Sequence, residues 1–388
     1  MVAVTVSPAS GQLLDDSALI RRIFDHLDNG TTDLAPETWS EPVANYLSPA
    51  RLAAEVEVLR RQPTPFCPSA ALPEAGSYLA RSAAGVPIVA VRGRDGRVRA
   101  FRNACRHRGT TVASGSGCSK ALVCPYHGWV YGLDGSLRQV PDGYGFPGLD
   151  KADRGLVAVR AEERGGLVLV TQDGPDEQAD GDSSVGWLPP DLIAGDQQLT
   201  GSGDTEIAAN WKVFAEGFLE GYHIKATHRE TFLPFGYDNV NVVETFGRHS
   251  RVTFPFRRVE GLRDRPPASW RIDGMATVVH HVFPNTMVVR FSHHTLVAML
   301  EPIAFDRTRL VTFQLAGRSP AEDRAAGDDA RRDADFVALG AVEDLAMAEA
   351  VQAGLASGAN EVLTFGRFEG ALAHFHRHLD ELVEAVGA

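Results

Sequence analysis

Apolar residues recur at helical spacing where the chain begins. Leu13, Leu14, Leu19, Ile20, Ile23 and Phe24 predict a helix across residues 12 to 27, and "SPARLAAEVEVLRRQ", 48 to 62, predicts a second one opened by Ser48 and Pro49. From about 78 to 172 the texture changes to short β-branched runs such as "VPIVAVRGRDGRVRAF", "GWVYGLDGSLRQV" and "GLVAVRAEERGGLVLVTQDG". Asp-Gly at 95–96 and 134–135 reads as hairpin turns, so this stretch is a small antiparallel β domain. Residues 172 to 191 are acidic and rich in Gly, Pro and Ser, which predicts a loop or domain boundary. Beyond it lie a helix near 210–225, the strands "ATVVHHVF", "TMVVRFSHH", "TLVAMLEPIAF" and "RLVTFQLAG", and helices near 330–356 and 367–386. That order predicts an α+β domain, a sheet flanked by helices. No internal repeat interrupts it.

Composition narrows the class. A chain of 388 residues exceeds one core, and at about 150 residues per domain two domains are the starting count. With 38 Lys+Arg against 50 Asp+Glu the net charge is -12, which disfavours nucleic acid and an anionic membrane surface alike. No apolar run approaches the roughly 18 residues a bilayer span needs. The N-terminus lacks a basic segment ahead of its apolar residues, so no secretory signal is expected. Four cysteines are too few for a disulfide framework, and a reducing cytoplasm is the expected setting.

The loops of the β domain carry the first candidate chemistry. In "CRHRGTTVASGSGCSKALVCPYHGWVYG", Cys105, His107, Cys124 and His127 form C-x-H and C-x2-H separated by 16 residues. A zinc finger usually keeps its cysteines together and its histidines together. Here each loop offers one of each, the division that a Rieske [2Fe-2S] cluster requires, with two cysteines on one iron and two histidines on the other. Gly109 and Gly128 follow the histidines and allow close backbone approach. Cys118, inside the gap, and Cys67, far from it, would spoil the symmetry and are read as structural or free thiols.

A second constellation lies in "NWKVFAEGFLEGYHIKATH", 210 to 228. Glu216, Glu220 and His223 share one helix face at i, i+4, i+7. His228 falls about 140° off that face, so the helix must end or bulge before both histidines reach one metal. A mononuclear Fe(II) oxygenase site adds one carboxylate to two histidines. Asp344, with Val337, Gly340, Ala341, Met347, Ala348, Val351 and Leu355 at helical neighbour spacings, is the expected third ligand. Glu343 competes with it, while Asp333 and Asp335 fit a solvated face.

Together these motifs resemble the large, or α, subunit of the Rieske non-haem iron oxygenases, also called aromatic-ring-hydroxylating oxygenases. "CRHRG", "CPYHGWVY", "NWKVFAEGFLEGYHIKATH", "FPN" at 283–285 and "EDLAMAEAVQAGLASG" carry the likeness along nearly the whole chain. The resemblance implies an N-terminal helical segment (1–45) packed on the assembly, a Rieske domain (46–172) and a helix-grip, START-like catalytic domain (173–388). It implies that Cys105, His107, Cys124 and His127 hold the cluster and that His223, His228 and Asp344 hold Fe(II). Glu220 stands where many members have aspartate, and it is expected to link a neighbouring copy's cluster to the iron in a homotrimer. Asn210 and Tyr222 are expected beside these ligands. Partners implied are O2, a small-molecule substrate, and a reductase using NADH or NADPH, with or without a ferredoxin and a small β subunit. No nucleotide fingerprint is evident in the chain itself.

Nine phenylalanines of the catalytic segment (Phe214, Phe218, Phe232, Phe235, Phe246, Phe254, Phe256, Phe283 and Phe291) favour an apolar or aromatic substrate. Against that, "VQAGLASG" and "EGALAHFHRHL" look like the branch with choline and betaine oxygenases, which makes oxidation of an amine the alternative. A rival of another class is an electron-transfer or ligand-binding protein without the mononuclear iron. Iron content separates them, two per chain against three.

Overall fold

The computed structural model describes residues 13–173, 186–317 and 324–387, so most of the expected boundary at 172–191 lies outside the described residues. The chain forms two compact units. One joins the chain up to Val58 to the chain from Asp196 onward, and the other runs from Leu59 and takes in Leu188–Gly195. The sequence reading placed the first boundary after residue 45. The difference arises in the helix Pro49–Arg61, whose Val58 belongs to the same core cluster as Trp211 and Phe375, and whose Glu55 accepts the Trp211 indole N–H at 2.8 Å.

In the first part of the chain, α1 (Asp16–Asn29) starts on Asp15, whose side chain accepts the Ala18 N–H, and ends on Gly30 in the left-handed region. Its apolar stripe, Leu19, Ile20, Ile23 and Phe24, packs with Trp270 and Ile272. A strand β1 (Trp39–Pro42), a short α2 (Ala44–Leu47) and α3 (Pro49–Arg61) follow.

The unit from Leu59 contains β2 (Thr64–Pro68), β3 (Ser77–Ala83), β4 (Val86–Arg92), β5 (Val98–Arg102), β6 (Gly115–Cys118), β7 (Leu122–Val123), β8 (Val130–Tyr131), β9 (Leu137–Gln139), β10 (Ala158–Arg164) and β11 (Leu167–Thr171). Seven strands pair in the order β2-β11-β10-β5-β4-β3-β6, and β7-β8-β9 form a second, three-stranded sheet. Both Asp-Gly turns fall in hairpins, between β4 and β5 and between β8 and β9.

In the larger unit β12 (Gln197–Ile207) leads to α4 (Trp211–Gly217) and α5 (Ile224–Thr227), then β13 (Val242–Phe246), β14 (His249–Pro255), β15 (Ala276–Val282), β16 (Thr286–Arg290), β17 (Thr295–Ala304), β18 (Arg307–Gly317), α6 (Arg324–Ala356), β19 (Val362–Phe365) and α7 (Gly370–Gly387). The sheet is antiparallel, in the order β12-β18-β17-β16-β15-β14-β13, and β19 pairs separately with β1. Phe375 and Leu379 of α7 join Val252, Val279 and Phe283 of the sheet in one core. The expected continuous helix over 210–225 is instead two pieces, because α4 stops at Gly217 and the chain turns before α5. Among the described residues no helix is long and apolar enough to cross a membrane.

Candidate active site

The two Cys/His loops are closed by the same backbone hydrogen bonds. Cys105 N–H donates to Thr110 O at 2.8 Å and Gly109 N–H to Cys105 O at 2.9 Å; Cys124 N–H donates to Trp129 O at 2.8 Å and Gly128 N–H to Cys124 O at 3.0 Å. Gly109 and Gly128 hold φ at 81° and 73°, which a Cβ would strain. Both cysteines are buried and outside any disulfide. The Tyr131 hydroxyl lies 3.2 Å from Cys105 Sγ and accepts the Arg106 N–H at 2.9 Å. The His107 ring stacks on Trp129 at 5.0 Å and meets the His127 ring at 4.6 Å. Its Nδ1 is buried with no hydrogen-bond partner among the described residues, and desolvation, then the nearby His127 and Arg108, hold the imidazole's pKa below its usual value. A buried nitrogen without a proton partner, beside two buried thiols, suits coordination by a cluster. Cys118 is exposed, and burial pushes the Cys67 thiol up to about 12, so neither joins the set.

In the larger unit His223, His228 and Asp344 present ligand atoms within 4.8 Å of one another. His228 Nε2 lies 2.8 Å and His223 Nε2 3.7 Å from Asp344 Oδ1. The opposite nitrogen of each ring faces a carboxylate: His223 Nδ1 meets Glu220 Oε1, and His228 Nδ1 lies 2.8 Å from Glu343 Oε2. The two Nδ1 atoms thus face carboxylates on the outside, while both Nε2 atoms face Asp344. Glu220 Oε2 also accepts the backbone N–H of Tyr222 and, at 3.1 Å, of His223. Glu343 is fixed by Thr231 Oγ1 at 2.6 Å. Burial opposes a proton on His228, but the Asp344 and Glu343 carboxylates outweigh it and raise its pKa. These three residues would suit a divalent metal in place of that proton.

Behind α4 the charges are buried. Glu216 turns away from Glu220 and accepts from Tyr46 Oη at 2.7 Å and His376 Nε2 at 2.9 Å, while His376 Nδ1 lies 3.4 Å from Glu41. The shared face expected for Glu216, Glu220 and His223 therefore does not form, since the chain leaves the helix at Gly217. Asn210 is the N-cap of α4: its Oδ1 accepts the Lys212 N–H at 3.0 Å, and its Nδ2 donates to Tyr46 O and Phe305 O. Tyr222 is exposed, with its ring 4.5 Å from Phe368. Of the residues expected beside the ligands, only Glu220 contacts one by its side chain.

A cavity of about 160 Å³ opens beside the triad. Phe214, Phe218, Phe232, Phe254, Phe256 and Phe291 line it; Phe235, Phe246 and Phe283 do not. Phe232 lies against α6 at Gly340, where a Cβ would collide with its ring, and it meets the His228 ring at 4.5 Å. On α6, Met347 and Val351 are exposed, so the apolar stripe read around Asp344 is only partly core, and Val337 and Ala341 line the cavity instead. Asp333, read as a solvated position, also lines it, as do Phe336 and Tyr237. For Asp333 and Phe336 the signal is the spacing 333, 336, 337, 341, 344, one helical face; Tyr237 has none of that kind.

Comparison with known proteins supplies the family. A model of the Rieske [2Fe-2S] domain matches residues 62–147, and one of the ring hydroxylating alpha subunit (catalytic domain) matches 196–385. The chain belongs to the Rieske non-haem iron oxygenase α subunits. It is 28% identical over 330 residues to choline monooxygenase, chloroplastic, of Spinacia oleracea, covering 80% of this chain and 70% of that protein. It is 27% identical over 378 residues to the carnitine monooxygenase oxygenase subunit of Escherichia coli strain K12, covering 89% and 94%. The fold matches a crystal structure of the quaternary ammonium Rieske monooxygenase CntA with L-carnitine at a TM-score of 0.72 and 23% identity, over 90% of this chain and 96% of that one.

The oxygenase is thus a terminal component that works with O2, an organic substrate and a reductase, and carries a Rieske [2Fe-2S] cluster and a mononuclear iron. When bound, these groups supply reducing electrons and oxygen activation. The protein's part is positional: Glu220 and Glu343 would hold protons on the Nδ1 atoms, Asp344 would add an anionic oxygen to a bound metal, and the phenylalanines give the adjoining cavity apolar walls.

Proposed function

We propose that the oxygenase hydroxylates an apolar, aromatic small molecule bound in the phenylalanine-lined cavity, with His223, His228 and Asp344 holding the iron and Cys105, His107, Cys124 and His127 the cluster. The cavity carries this reading. Its six sequence-read phenylalanines and Phe336 adjoin the triad, and its volume of about 160 Å³ is near the roughly 150 Å³ of a cavity that accepts benzene. Turnover of a substrate panel with a surrogate reductase, NADH and isotopically labelled O2 tests it. Label is expected in ring or side-chain hydroxyls of monocyclic aromatics; label in none of them would overturn the reading.

The second reading, oxidation of a quaternary ammonium compound, rests on the relatives, which are named for choline and carnitine oxidation. The same panel includes choline, glycine betaine and carnitine. Among the described residues the lining contains no Lys or Arg to pair with carnitine's carboxylate, which favours the first reading over that substrate.

We also infer that the working unit is a homotrimer in the cytoplasm, in which Glu220 links its own His223 to a cluster histidine of a neighbouring copy. The contact of Glu220 with His223 Nδ1 supports half of that link. Glu220→Gln is expected to keep both metals and the oligomer while slowing single-turnover electron delivery to the iron. Normal transfer would remove the link.

A further inference from the structure

Asp333 is the charged group of the cavity that the triad does not use. It stands 11 residues before Asp344 on α6. Eleven residues advance a helix by about 1100°, within roughly 20° of whole turns, and by about 16 Å along the axis. The two carboxylates therefore share one face and mark opposite ends of it, with Phe336, Val337 and Ala341 between them on the cavity wall.

The carboxyl is held in place on one oxygen. Asp333 Oδ2 accepts from His294 Nδ1 at 3.0 Å and from the His293 N–H at 3.2 Å, and the His294 ring lies flat on Phe291 at 4.7 Å. Oδ1 has no partner among the described residues. Burial would favour the neutral acid, but the His294 hydrogen bond outweighs it and holds the carboxyl below its ordinary range, so the group is an anion at neutral pH. Among the described residues no Lys or Arg lines the cavity to neutralise it. A fixed anion with a free oxygen, in walls that away from the triad and Glu220 are mostly aromatic and aliphatic, rejects a carboxylate and rewards a positively charged donor.

We propose that Asp333 is the specificity-determining residue of this oxygenase, and that its Oδ1 receives the N–H of a protonated amine at the end of the substrate remote from the triad. The substrate class is then an arylalkylamine, one ring with a short aminoalkyl chain. This rests on the reading of the cavity as the substrate site.

The test uses the holoenzyme without O2 and measures calorimetric affinity for 2-phenylethylamine, 2-phenylethanol and ethylbenzene at pH 7. The unmodified protein is expected to bind the amine at least roughly tenfold more tightly than ethylbenzene, with the alcohol between them, as for a hydrogen bond to a charged group. In Asp333→Asn and Asp333→Ala that preference is expected to fall by about tenfold or more, with iron content and cluster spectrum reporting intact folding. If Asp333 only braces the loop at His293, all three affinities fall together and the ratios stand, which overturns the proposal. An alcohol that binds as tightly as the amine overturns the cationic assignment. Oxygen incorporation is read separately: its failure with all three probes would overturn the aromatic-hydroxylation reading, while the affinity ratios would still judge Asp333.

Discussion

The two metal-binding regions solve one problem by different means. In the cluster loops the donors come in short local pairs, and four backbone hydrogen bonds in two matching turns aim them. The proposed iron site draws on the end of a broken helix and on α6, residues separated by 116 positions (228 to 344). Its geometry depends on charges packed out of sight, Glu216 and Glu41 about His376, and Glu55 with Lys212 at 2.6 Å. Local turns make a site that depends little on its surroundings. A site assembled from distant segments inherits the stability of whatever buries them.

The largest expected effect tests that independence. Asp344→Ala removes the anionic ligand, so mononuclear iron and turnover are expected to vanish, while the visible spectrum of the cluster stays unchanged. Iron analysis should fall from three per chain toward two. Loss of the cluster as well would show the two sites to be one cooperative structure.

Next comes the buried scaffold. His376→Gln leaves Glu41 and Glu216 without their cation, and a broken buried pair costs about 3–5 kcal/mol, readable as a lower thermal midpoint. The pH dependence has a definite sign. Burial opposes the charge on His376, but hydrogen bonds to Glu216 and Glu41 raise its pKa to about 9, from 6.5. That contribution is full below about 6.5 and drains as pH rises through 9. For Glu41 burial acts upward, yet His376 wins and the carboxyl falls to about 2, so its contribution holds above 4.5 and is lost on acidification toward 2. The pair is worth most between 4.5 and 6.5. His376→Gln is expected to flatten the alkaline decline; an unchanged slope would mean that His376 carries no charge.

This contrast also governs what the sequence made legible. The strand runs, the Asp-Gly turns and the two matching Cys/His loops are legible because their signals are local. The roughly 140° offset of His228 calls for a break between His223 and His228, but the helix already stops at Gly217, ahead of Glu220, and the offset does not locate that position. Glu216 was misread because helical spacing describes a face and not what the face meets; Tyr46 and His376 lie 170 and 160 residues from it. Asn210 looked chemical because an N-cap and a site residue share the same type. Asp333 looked solvated because polarity marks a surface, and a cavity wall is also a surface.

Glu343 gives a smaller effect and the sharpest comparison. As a rival of Asp344 for the metal, it would be expected to abolish binding on removal. In the structure it instead approaches the far nitrogen of His228 at 2.8 Å and is braced by Thr231, so it sets that ring's orientation and basicity from the side away from the converging ligand atoms. Glu343→Gln keeps a hydrogen-bond acceptor for Nδ1–H and removes the charge. Loss of such a partner typically lowers metal affinity about 10–100-fold, so iron should still bind, but with a weaker dissociation constant in competition with a chelator. Glu343→Ala should weaken it further, and Thr231→Val should fall between the unmodified protein and Glu343→Gln. If Glu343→Ala lost all mononuclear iron while Asp344→Ala retained it, the two neighbours would exchange roles. Asp344 would then be the orienting group, and the convergence of both Nε2 atoms on it would need another cause.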